Sequence, residues 1–140
     1  MRTMMILSAI AALMLAAPAS GKVRRLEANL HGSSATDPDG SGTAKLRLDR
    51  ARKRVCFTIR VSAIDEVVAS HIHKGGPGVN GPISVDLITA PASGTTFTGC
   101  TKNVARSKIR AILRHPRRYY VNVHTMAFPG GAIRGQLRTP

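Results

Sequence analysis

Val55-Cys56-Phe57-Thr58-Ile59-Arg60-Val61 decides the fold. Val55, Phe57, Ile59 and Val61 alternate with Cys56, Thr58 and Arg60, the period-two pattern of a strand that hides one face and shows the other. The same alternation flanks this stretch. Upstream, Leu26, Ala28 and Leu30 mark one strand and Ala44, Leu46 and Leu48 another, separated by a Gly32–Gly42 segment that reads as a loop on composition. Downstream, Val68–His73, Ile83–Ile88, Tyr119–Thr125 and Ala132–Leu137 read as strands, with Ile83, Val85 and Leu87 on one face. Pro91–Gly99 reads as a loop that delivers Cys100. One helix is expected, with Ser107 as N-cap, Ile109, Ile112 and Leu113 on one face, and Pro116 as its stop. The sum is an all-β sandwich of about seven strands with one short helix.

The 140 residues suffice for one domain. Arg2 is followed by an uncharged, largely apolar run from Met4 to Ala17, and Ala17-Pro18-Ala19 forms an A-x-A site for cleavage before Ser20. This predicts a signal peptide over residues 1–19, a mature domain over residues 20–140, and a secreted or periplasmic protein. The apolar run is shorter than the ~20 residues that cross a bilayer. No cysteine sits near the cut to take a lipid. Two cysteines in the chain suit an oxidising compartment and one Cys56–Cys100 disulfide. That bridge closes a loop of about forty residues and stabilises by about 3–4 kcal/mol. Because Cys56 lies on the polar face of its strand, it is expected to bond at a rim or across to a loop.

Twenty-one basic residues against seven acidic ones give a formal net charge of +14. Such a charge favours anionic partners, of which lipid headgroups and cell-envelope polymers suit an exported protein. Nucleic acid fits less well: the chain has no Trp, few aromatics to stack bases and no recognition-helix pattern. The densest basic run, Arg50-Ala51-Arg52-Lys53-Arg54, falls at an expected hairpin turn and reads first as solvated charge.

His71-Ile72-His73-Lys74-Gly75-Gly76 with Asn80-Gly81-Pro82-Ile83, then Tyr119-Tyr120-Val121-Asn122-Val123-His124-Thr125, then Phe128-Pro129-Gly130-Gly131-Ala132-Ile133-Arg134-Gly135-Gln136-Leu137, resemble the motifs of the CHRD domain in order and spacing. The likeness spans Leu26 to Leu137 and implies an exported β domain without a defined activity. A fainter likeness is to copper-zinc superoxide dismutases, which also pair H-x-H at a strand end with a later strand histidine and an arginine after a glycine-rich loop. Here those would be His71, His73, His124 and Arg134. The likeness implies a Greek-key sandwich, immunoglobulin-like or superoxide-dismutase-like, and an arginine that steers anions toward a metal. No zinc loop or bridging histidine is visible, so one metal at most is implied.

Two histidines at i and i+2 of a strand lie about 7 Å apart on one face and can converge on one ion, with His124 as third ligand if its strand lies alongside. Three imidazoles with no cysteine or carboxylate nearby suit copper or zinc better than calcium or magnesium, and copper adds redox capability. The competing reading has these rings hydrogen-bonding across the sheet to hold the glycine-rich loops. His31 and His115 read as surface residues, and Arg134 as an exposed strand arginine or an anion guide. Asp65-Glu66 point apart on an extended chain, Ser84 and Asp86 lack a nucleophile elbow, and Gly75-Gly76-Pro77-Gly78 lacks the Lys-Ser/Thr of a phosphate loop. The expected function is a binding module with one copper-type site. A mono-copper dismutase-like enzyme and a metal-free scaffold for anionic envelope polymers are the alternatives.

Overall fold

Each of the seven segments expected as a strand is a strand in the computed structural model, which describes residues 22–33 and 35–140. The expected signal peptide and its cleavage site lie outside the described residues. The elements are β1 (Arg24–His31), β2 (Ser41–Asp49), β3 (Arg54–Ser62), β4 (Val67–Lys74), β5 (Ile83–Ile88), β6 (Thr96–Thr101), α1 (Arg106–Arg114), β7 (Tyr119–Thr125) and β8 (Ile133–Gln136). All pairings are antiparallel, in the order β5-β4-β7-β8-β1-β2-β3-β6. The free edges of β5 and β6 approach each other, where Thr101 Oγ1 donates to the Asp86 carbonyl. The sheet is therefore nearly closed. The chain passes from β3 over two strands to β4, then returns through β5 to β6 beside β3, a Greek key.

The alternation written in the sequence becomes the wall. Leu26, Ala28, Leu30, Leu46, Leu48, Ile59, Ile72, Val121 and Val123 point inward and are buried, while Lys45, Arg47 and Arg60 of the same wall face solvent. The eighth strand, β6, was expected as loop. Its inward positions are Phe97 and Gly99, and glycine carries no side chain to mark the alternation. A Cβ at Gly99 would lie 2.8 Å from Cζ of Phe57, so the missing side chain makes room for that ring. Cys56 bonds Cys100 directly across the β3–β6 pair, with Cα atoms 3.9 Å apart, rather than at a rim or a loop.

Two further expectations are corrected. Ile83 does not share the buried face of Val85 and Leu87; it is 52% exposed, because the β4–β5 register slips between Ile72 and His73 and turns it outward. Ser107 lies inside α1, whose N-cap is Ala105 without a side-chain bond. The helix is held by packing instead. Ile109 and Ile112 are fully buried and close the end of the barrel where β2 turns into β3, next to the bond from Val104 N to Lys53 O (2.9 Å).

Candidate metal centre

β7 is buried along its whole length. Its inward residues Val121 and Val123 join the core, and its outward residues Tyr120, Asn122 and His124 are covered by loops. β4 runs beside it, with His71 opposite Asn122 and His73 opposite Tyr120. The outer face of this pair thus gathers His71, His73 and His124. One nitrogen from each lies within 4.8 Å of the others, so the cluster could hold a metal ion.

His73 and His124 are each oriented by a hydrogen bond from their other side. His73 Nδ1 lies 2.9 Å from the Gly81 carbonyl and His124 Nδ1 lies 2.9 Å from the Pro129 carbonyl. A carbonyl can only accept, so both Nδ1 atoms carry protons. In the neutral imidazole that leaves Nε2 with a bare lone pair. His73 Nε2 is buried and has no hydrogen-bond partner. His124 Nε2 meets His71 Nδ1 at 3.1 Å, and His71 Nδ1 is then the donor. On its far side, and against the expectation that no carboxylate lies nearby, His71 Nε2 faces the Asp86 carboxylate at 3.8 Å, brought there by the β4–β5 pairing. Carbonyls and a carboxylate behind imidazole ligands are the usual outer support of a metal site.

Electrostatics point the same way. Burial pushes the His71 pKa below its ordinary value, helped by the neighbouring His124 and His73 and opposed by Asp86. Burial also lowers that of His124, against the Pro129 bond that favours its charged form. Neutral imidazole is the form that ligates metal.

The loops follow from local chemistry. Gly131 has φ +126, a conformation side chains rarely adopt, and a Cβ there would strike the Asn122 amide. Asn122 Nδ2 in turn donates to Gly130 O (3.0 Å), which fixes the turn that carries Pro129. Tyr120 stacks on His73, with centroids 5.0 Å apart, and its hydroxyl accepts from Gly81 N (3.1 Å). Arg134 lies over the other face of Tyr120, 3.6 Å from the ring centre. It is half-buried rather than exposed, and donates to Asn80 Oδ1 and Val79 O at 3.0 Å each. It clamps the loop that presents the Gly81 carbonyl.

A family model described as the CHRD domain matches residues 26–137. The chain belongs to the CHRD-domain family. No curated protein and no solved structure matches it. Within this CHRD domain the three histidines expected together are together, while His31 and His115 are exposed and elsewhere. Sequence reasoning passed over Asp86, Tyr120, Gly81 and Pro129 as supports of the cluster. Two of these act through backbone carbonyls, which residue type cannot announce. Asp86 was readable only through its cross-strand pairing with His71.

Proposed function

We propose that this CHRD-domain protein is exported, with residues 1–19 as its signal peptide, and is a binding module carrying one copper-type ion on His71, His73 and His124. One observation carries the reading: the His73 Nε2 lone pair is buried, unpartnered and aimed into a cluster of imidazoles. A buried polar atom left unpaired costs about 1–3 kcal/mol, and a metal ion would offset that cost. Nε2 of His73, Nε2 of His124 and Nδ1 of His71 would be the ligands. His71 would then hold its proton on Nε2, toward Asp86. Three nitrogen donors favour copper or zinc over the hard cations, and copper would supply one-electron chemistry.

Export fits the disulfide. Among the described residues no helix is long and apolar enough to cross a membrane. The strong positive charge supports contact with anionic cell-envelope polymers or lipid headgroups. A dismutase-like activity is the second reading, favoured by the placement of Arg134 opposite Asn122 on the same outer face as the histidines. Elemental analysis of protein matured in the periplasm tests the first reading, and superoxide turnover by the copper-loaded protein tests the second. One equivalent of copper in wild type and none in His73→Ala is expected. A wild type that binds no metal would leave a scaffold whose histidines only brace the loops.

A further inference from the structure

The charges of this domain are sorted along the barrel. Four of the seven acids, Asp37, Asp39, Asp65 and Glu66, sit in the loops at the end where β1 finishes and β4 begins. They crowd one another: the Asp37 carboxyl is pushed up by desolvation first, and then by Asp39 and Asp65. The opposite end holds the start of β1, the β2–β3 turn and α1. Its one acid, Asp49, is 3% exposed and already taken by Arg52, whose backbone N–H and guanidinium both donate to it (2.9 and 3.0 Å).

A cleft of about 400 Å³ opens at that basic end, lined by Lys22, Arg24, Arg50, Arg110, Leu113 and Arg114. Five cations and one apolar side chain meet there with no acid among them. None of the five makes an ion pair among the described residues. Four of them are arginines, whose planar forks match phosphate oxygens. Arg52, Lys53 and Lys108 are exposed at the same end.

We infer that this helix-capped end of the barrel docks on anionic phospholipid membranes, with one headgroup phosphate seated in the cleft. The inference rests on the reading of the net charge as an attraction to anionic envelope surfaces, and is independent of the metal centre. A polymer chain would call for a groove running along the surface. A compact cleft set in a basic end, with apolar Leu113 among the cations, suits a headgroup with its glycerol backbone behind it.

Flotation of the mature chain with phosphatidylcholine vesicles, with and without phosphatidylglycerol, tests this. Binding only to the mixed vesicles, and competition by inorganic pyrophosphate, are expected. Arg50→Ser with Arg110→Ser should weaken binding about thirtyfold, since each cation near such a surface contributes about 1 kcal/mol. Lys45→Ser with Arg60→Ser removes the same charge from the barrel wall, and should weaken it about threefold or less at physiological salt. Far-ultraviolet circular dichroism checks that both variants fold. Equal losses from the two pairs would overturn the cleft in favour of diffuse charge. Tight binding to soluble polyphosphate without binding to vesicles would overturn the membrane as partner. His73→Ala should float as wild type does, so a failed copper reading and a failed docking reading remain distinguishable.

Discussion

The histidine face and the helix-capped end treat polar groups in opposite ways. On the face of β4 and β7, three imidazoles are drawn out of water; His73 and His124 are fixed by second bonds to Gly81 and Pro129, and His71 faces Asp86. At the helix end, five cations stand in solvent around a cleft and make no ion pair among the described residues. The first arrangement spends packing on geometry, so it should be sensitive to single atoms. The second relies on summed charge in high dielectric, so it should be graded and screened by salt. Single substitutions separate the two styles.

His73→Ala is the sharpest break. It should cost at least about a hundredfold in copper affinity by titration, beyond what loss of an outer support costs, while circular dichroism shows the β fold intact. Opening the Cys56–Cys100 bridge, by Ser at both positions, should lower unfolding free energy by about 3–4 kcal/mol in urea. It should leave copper affinity alone, because the bridge lies on β3 and β6 and not on the histidine strands. Asp86→Asn should reduce copper affinity about tenfold by weakening the support behind His71, and a metal-free melt should barely move, since Asp86 is exposed.

Acid offers a gentler probe. The folded pKa values of His71 and His124 lie below the ordinary 6.5. Between those values and 6.5 the unfolded chain binds more protons than the folded one. The contribution to stability is therefore complete above about pH 6.5 and is lost as pH falls through the folded values. The metal-free protein should melt a few degrees lower at about pH 5 than at pH 7, and copper should widen the difference, because it keeps protons off the folded imidazoles while the unfolded chain still takes them up. His31→Ala and His115→Ala should change neither copper affinity nor melting. Either substitution having a large effect would erase the contrast between the buried cluster and the surface.

How much of this was legible in the sequence depended on what carried it. Strands with a clean alternation, such as Val55–Val61, were plain because side-chain burial alone writes the pattern. β6 was hidden because its inward face includes Gly99, which records a neighbour's bulk rather than its own. The histidine trio was readable as a constellation through the spacing of His71 and His73. Its tautomers were not, because backbone carbonyls at Gly81 and Pro129 set them. Arg134 was read as exposed or anion-guiding, and its place over Tyr120 depends on a loop path that no local pattern encodes. The helix start was misplaced for a similar reason: Ala105 caps without a side-chain bond, and the burial of Ile109 and Ile112 holds the helix.

β7 has both neighbours paired and both faces covered. Its backbone amides should be among the last to exchange with deuterium, opening only when the whole domain opens. His124 rides on that strand. The spacing between His124 and the β4 histidines is then set by the global unfolding equilibrium and not by breathing of the loops above them. The helix end, held by one nine-residue helix, should exchange sooner and adjust its contacts while the histidine face stays fixed.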